Sequence, residues 1–230
     1  MIIIEFIFVL LYLGSRLDRK IQQLDGMAAA VIDTVSEGDI IVDFCSGGGH
    51  LGILLAHLLP RCHVIMVDNK EESVRNARQR VAQLKLMNAT IIQSNLDYFR
   101  GRFDLGVALH ACGVATDLVL QTCLTERAAF VICPCCYGNL AHPDLPIEYP
   151  QSKLYCTRGV AATDFSVLAR MADHLTEDGR LAMAAVDLDR ISRASQEGYL
   201  VSLKKLKPDM CSPKHDLLIG VPLKQHRTTL

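Results

Sequence analysis

Neither sign of charge is in excess in this 230-residue sequence, where 24 Lys and Arg face 25 Asp and Glu for a formal charge of −1. The balance excludes a whole-body positive field for wrapping nucleic acid, though not a local basic patch. A continuous run of the roughly 20 apolar residues that span a bilayer is also missing. The most apolar stretch, MIIIEFIFVLLYLG, is broken by Glu5. It shows neither the basic n-region nor the small-residue cleavage site of a signal peptide. Residues 1–14 are read as an atypical apolar segment ahead of the domain. Cysteine is plentiful, nine in all, but the odd count has no regular framework. A chain that is half apolar has core enough without cystine. Free thiols in a reducing, cytoplasmic compartment are the expectation. Repeats, low-complexity tracts and linkers are absent too, so residues 15–230 are expected to form a single domain.

What is present alternates. From Asp18 to Val35 apolar residues recur at three- and four-residue steps, the mark of an amphipathic helix. IIVDF, CHVIMVD, ATIIQSN, FDLGVALH and AAFVICP are apolar runs of strand length. The segments between them, including LGILLAHLL and ATDLVLQTCL, have helical spacing. Strand–helix alternation of this kind implies right-handed crossovers and a mostly parallel, doubly wound α/β sheet covered on both faces. Toward the C-terminus, TDFSVLARMADHL and RLAMAAVDLDRISRAS read as helices. YLVSLKKL and HDLLIGVPL read as two strands that end the sheet antiparallel. Residues 139–160, with three prolines, read as one long irregular loop.

The segment Val42–Asp43–Phe44–Cys45–Ser46–Gly47–Gly48–Gly49–His50 carries the strongest signal. A strand, a glycine turn and a helix in this order let the backbone approach a ligand at a helix N-terminus. An acid at the strand end with Gly47 and Gly49 four and six positions on is the pattern of S-adenosyl-L-methionine sites. There Asp43 orients the turn or the methionine ammonium, Gly47 and Gly49 leave room for the cofactor, and Cys45, in place of the usual first glycine, is a further contact on the turn that favours an inactive domain. A dinucleotide is the alternative ligand. Asp68 ends the second strand, where a carboxylate can take both ribose hydroxyls. Asn95 and Asp97 follow the third strand, where a side chain can reach the adenine amine. Together these imply a class I methyltransferase (Rossmann-like) fold.

In such a sheet, ligands sit beyond the carboxyl ends of the strands. His110 and the Pro134–Gly138 turn end strands four and five, so both are expected at the acceptor side. His110, a base near neutral pKa or else a shaper of the turn before Gly113, is a catalytic candidate together with Cys136 and Tyr137. Asp117, with Thr116, is expected to cap the next helix. Cys133, Cys135 and Cys136 lack the paired C-x₂₋₄-C spacing of structural zinc sites, and strand alternation sends neighbours to opposite faces. Cys112, His110 and His142 could complete a site only in space. The expectation is no metal, with Cys133 packed in its strand and Cys135, Cys136 and Tyr137 lining a substrate pocket.

RKIQQL, IVDFCSGGGHLGILLAHLLP, GVALHACGVATD, CPCCYG, VDLDR and CSPKHDLLIGVP resemble, in order, the C-terminal half of the glutathione S-transferase C-terminal domain-containing protein family. That region is similar to class I methyltransferases. His110–Ala111–Cys112–Gly113–Val114–Ala115–Thr116–Asp117 and Cys135–Cys136 are similar to motifs of a tRNA 2′-O-methyltransferase family. Leu109 stands where those enzymes have lysine, and Tyr137 and Gly138 where they have histidine. The resemblance implies an S-adenosylmethionine-dependent methyltransferase acting on RNA, such as tRNA; an inactive, cofactor-binding scaffold is the alternative. Lys204, Lys205, Lys207 and Lys214, extended by Lys224 and Arg227, read as an ordinary solvated face, with a basic edge for RNA as the alternative. Nothing in the sequence points to DNA, and it leaves the oligomeric state open.

Overall fold

Each run read as a strand is one in the computed structural model, which describes residues 17–141, 147–207 and 211–223. Five strands lie parallel: β1 (Ile40–Phe44), β2 (His63–Asp68), β3 (Ala89–Gln93), β4 (Leu105–Ala111) and β5 (Ala129–Pro134). Two more, β6 (Tyr199–Lys205) and β7 (Asp216–Pro222), close the sheet antiparallel, in the order β3-β2-β1-β4-β5-β7-β6. The chain builds outward from β1 to β3 and then returns to place β4 on the other side of β1. That reversal opens a crevice beyond the carboxyl ends of β1 and β4.

Alternation along the strands divides the core in two. Ile41, Val64, Met66, Val107 and Val131 face one side with Leu24, Met27 and Val31 of α1 (Leu17–Ile32) and Ile53 to Leu55 of α2 (His50–Leu58). Val81 of α3 (Glu71–Gln83) joins them. Val42, Phe44, Phe130 and Ile132 face the other side, against Val119, Leu120 and Cys123 of α4 (Val114–Glu126). Ile191 and Ala194 of α7 (Glu177–Gln196) cover the same face. Phe44, Phe99 and Phe103 pack edge to face at centroid distances of 5.3–6.0 Å, beneath the end of β1. Each large side chain so buried contributes about 1.5–3 kcal/mol. The first helix stops at Ile32, short of the expected Val35.

The segment expected as one irregular loop is partly ordered by 3₁₀ and helical turns at Gly138–Ala141 and α5 (Lys153–Thr157). With α6 (Ala162–Met171) and the start of α7 it forms a third apolar cluster around Tyr137, Leu140, Phe165, Ala169 and Val186. Residues 1–14, His142, Lys224 and Arg227 lie outside the described residues. Among the described residues, no helix is long and apolar enough to cross a membrane.

Beneath that cluster lies a buried ionic network that the sequence reading missed. Arg190 on α7 is fully buried. Its Nε and Nη2 donate to the two oxygens of Asp117 at 2.9 and 2.7 Å, and its Nη1 donates to Asp187 at 2.8 Å. Asp117 also accepts from Tyr149 Oη and Gln151 Nε2, and Asp187 from Tyr137 Oη at 2.7 Å. Asp189, two residues along the helix, takes the backbone N–H groups of Gln151 and Ser152. The capping role expected of Asp117 is therefore corrected: its carboxylate points inward to Arg190. Thr116 bonds the Ala111 carbonyl and does not cap either. Burial raises the Asp187 pKa to about 6 despite the guanidinium beside it.

Candidate functional site

The glycine turn is shaped by two carboxylates. Asp43, at the end of β1, accepts from the Gly52 N–H at 2.9 Å and so fixes the first turn of α2. Burial raises its pKa to about 7, opposed by that N–H and by the Lys20 ammonium. Asp68, at the end of β2, accepts from Gly47 N–H at 2.8 Å with one oxygen and from Lys70 N–H at 2.9 Å with the other. Each oxygen keeps a further lone pair for a ligand. Cys45 and Gly47 both sit in the left-handed region, at φ +55°. A Cβ on Gly47 would meet no atom within 4 Å, so its open side is space for a ligand. Cys45 bears the same conformation with a side chain, at a cost of order 1–3 kcal/mol.

A cavity of about 500 Å³ lies against this turn. It is lined by Cys45, Gly47, Asp68, Asn95, Asp97 and His110, and Ala115 and Leu118 are among its apolar walls. Six residues chosen from sequence spacing thus meet around one cleft at the switch between β1 and β4. Asp43 and Gly49 do not line it. Asp43 is 1% exposed and acts on the turn from behind, and Gly49 faces Met66 and Ala77. Of the two roles expected of Asp43, the structure supports orientation of the turn.

His110 reaches the cleft through a break in β4. The β4–β5 register shifts between Leu109 and Ala111, and His110 itself has φ +69°. A bulge of this sort re-aims a side chain at a strand end. Its Nε2 lies 2.9 Å from Gln23 Oε1, while Gln23 Nε2 donates to the Cys211 carbonyl at 2.9 Å. That second bond assigns the amide, so His110 Nε2 carries the proton and Nδ1 the lone pair. Burial, then the Lys20 ammonium, lowers the His110 pKa, which keeps the ring neutral at pH 7. Lys20 and Gln23 were not singled out from sequence. They lie on α1, far from the cleft in the chain, and only α1 docking on the sheet brings them near.

One expectation about the strand-five turn is corrected. Tyr137 does not line the cleft: it is fully buried, with its hydroxyl on Asp187 and its ring near Arg190 and Lys214. Cys135 and Cys136, expected at a substrate pocket, are half-buried and lie outside the lining of this cleft. Asp173 holds this turn by accepting from the Tyr137 and Gly138 N–H groups and from Lys214. Cys133 is packed in the core as expected.

A doubly wound sheet with an acid-anchored glycine turn at its switch point is the class I methyltransferase fold. The chain belongs to the methyltransferase-domain family, which matches residues 19–143. It is 44% identical over 218 residues to the glutathione S-transferase C-terminal domain-containing protein of Bos taurus, covering 91% of this chain and 34% of that protein. The chain thus spans about a third of the length of the curated relatives it matches, and the similarity to the glutathione S-transferase C-terminal domain-containing family read from its motifs stands. A shorter match, 35% identical over 93 residues, joins 40% of this chain to 45% of the ribosomal RNA small subunit methyltransferase G of Chromohalobacter salexigens. Among solved structures, magnesium protoporphyrin IX methyltransferase from Synechocystis PCC 6803, with bound SAM, superposes with a TM-score of 0.51 at 14% identity. That superposition covers 92% of this chain and 86% of the other, and the likeness is one of fold.

Proposed function

We propose that this chain is an S-adenosylmethionine-dependent methyltransferase with RNA as its acceptor. The observation that carries the reading is the cleft at the β1/β4 switch, where Asp68 is lashed to the Gly47 N–H and still offers lone pairs to a ribose. Its volume lies within the 300–1,000 Å³ typical of small-molecule sites. Asp68 would hold the ribose hydroxyls, Asn95 and Asp97 the adenine edge, and Ala115 and Leu118 its apolar faces. The open side of Gly47 would admit the cofactor's path along the turn. The cofactor supplies a methyl group on a positively charged sulfur.

His110 is the residue that manages the acceptor's proton. Its neutral ring, locked by Gln23 through Nε2, leaves Nδ1 to take a proton from an acceptor hydroxyl or amine. RNA as acceptor is favoured by the match to the Chromohalobacter methyltransferase and by a basic edge on the cleft side of the sheet. Antiparallel pairing of β7 with both β5 and β6 turns β6 parallel to β5. Exposed Lys204, Lys205 and Lys207 therefore stand at the same end as the cleft. Lys205 and Lys214 pair with Asp216 and Asp173, which leaves their charge partly offset.

Calorimetric titration with S-adenosylmethionine and S-adenosylhomocysteine, followed by labelled-methyl transfer to total RNA, tests the reading. Both ligands are expected to bind the wild type, and the Asp68→Ala variant is expected to lose them. His110→Ala is expected to retain binding and lose about 100-fold or more in transfer. A folded protein that binds neither ligand overturns the proposal. Binding without methylation of any RNA overturns the transferase part and leaves a cofactor-binding scaffold.

A further inference from the structure

Three thiols converge where the sequence offered no zinc spacing. Cys112 comes from the turn between β4 and α4, and Cys135 and Cys136 from the turn after β5. Their sulfurs all lie within 4.8 Å of one another. Cys112 and Cys135 are 2.7 Å apart, and Cys135 and Cys136 3.6 Å. Neighbours in a strand diverge, but the chain leaves β5 at Pro134 and turns, so Cys135 and Cys136 come to one side. The two turns are tied by the Gly113 N–H on the Cys136 carbonyl at 3.0 Å. The clamp of Asp173 on the Tyr137 and Gly138 N–H groups fixes the far side.

We propose that Cys112, Cys135 and Cys136 form a tri-thiolate zinc site bridging the β4–α4 and β5 turns, with its fourth position open beside the exposed Cys112. In a tetrahedral site with Zn–S of about 2.3 Å, ligand sulfurs stand roughly 3.8 Å apart. The Cys135–Cys136 distance matches that spacing, and the Cys112–Cys135 pair reaches it by opening about 1 Å. Thiolates select soft or borderline cations over magnesium or calcium. Each thiol releases one proton as its S–Zn bond forms, so one Zn²⁺ displaces three protons and no electron is transferred. Because each ligand must lose its proton, zinc binds more tightly as pH rises. The Lys214 ammonium, paired with Asp173, acts on Cys112 and partly offsets the net negative charge of the loaded cluster.

The test is metal analysis of the purified full chain, then competition of zinc against a chromophoric chelator and cobalt substitution. One zinc per chain is expected, with thiolate-to-cobalt charge-transfer bands on substitution. Losing an outer-shell partner already costs 10–100-fold in affinity, so Cys112→Ser is expected to weaken zinc by about 100-fold or more. Cys156→Ser, exposed and outside the cluster, is expected to leave affinity unchanged. Circular dichroism confirms that both variants fold. Wild-type protein with fully reduced thiols that binds zinc no better than Cys112→Ser overturns the proposal. A Cys112–Cys135 disulfide in the isolated protein, with no zinc uptake after reduction, overturns it in favour of a redox pair. None of these readouts depends on cofactor binding.

Discussion

Replacing Arg190 by Met keeps the length and apolar stem of the side chain and deletes its charge. The native guanidinium makes three charge-assisted hydrogen bonds inside a site with no exposure. Removing one partner of such a buried pair costs about 3–5 kcal/mol, because the remaining carboxylates stay out of water. A second route gives a similar figure. A buried carboxyl can escape its charge by taking a proton, which at pH 7 costs about 1.4 kcal/mol for each unit above an unfolded pKa near 3.9, or about 4 kcal/mol. Asp187 is the group expected to do so, since its pKa is already raised to about 6 with Arg190 present. Asp117 keeps the donors from Tyr149 and Gln151. A loss of about 4 kcal/mol is expected, which for a domain of this size lowers Tm by roughly 8–16 °C. Urea denaturation at several pH values measures it. Because the variant must bind a proton to fold, its deficit is expected to be larger at pH 8 than at pH 5. Adding Asp187→Asn is expected to recover a large part of the deficit and to flatten its pH dependence. A deficit below about 1 kcal/mol, or one equal at pH 5 and pH 8, would refute the reasoning.

Asp43 and His50 are expected to tilt stability in opposite directions with pH. The folded pKa of Asp43, about 7, lies above its unfolded value. The native state therefore holds the extra proton, and this contribution falls as pH rises from about 4 to 7. Burial lowers His50 to about 4, so the unfolded state holds its proton and stability rises over pH 4 to 6.5. Denaturation of Asp43→Asn across that range is expected to show a steeper rise with pH than the wild type, and an unchanged profile contradicts the assignment. Gly47→Ala places a methyl group in the cleft at φ +55°. It is expected to cost about 1 kcal/mol in stability and at least tenfold in cofactor affinity by calorimetry. Unchanged affinity would place the ligand elsewhere.

Much of the candidate cleft was legible because its logic is local. A strand end, a tight turn and a helix start follow one another in sequence, so Asp43, Cys45 and Gly47 could be read from spacing alone. Asp68, Asn95 and Asp97 sit at the ends of neighbouring strands, and parallel winding brings successive strand ends together. Their meeting around one cleft needed only the strand order. Asp117 and Tyr137 were misread for the opposite reason. A helix-start aspartate looks like a cap, and a tyrosine after a strand end looks like pocket lining. Each was claimed by a partner far away in the chain, Arg190 and Asp187 on α7.

The sequence by itself determined the doubly wound α/β sheet, its antiparallel end and the glycine turn, because apolar periodicity and turn chemistry are short-range and each residue carries its own part of them. Tertiary structure alone decided which side chains share a volume. It set Gln23 of α1 against His110, buried Arg190 between two acids, and brought Cys112 to Cys135 and Cys136. Apart from Arg190 and Asp187, one helical turn from each other, those contacts join residues from 23 to 87 positions apart. Burial and charge at such distances arise only when helices dock on the sheet, and no spacing rule along the chain encodes them.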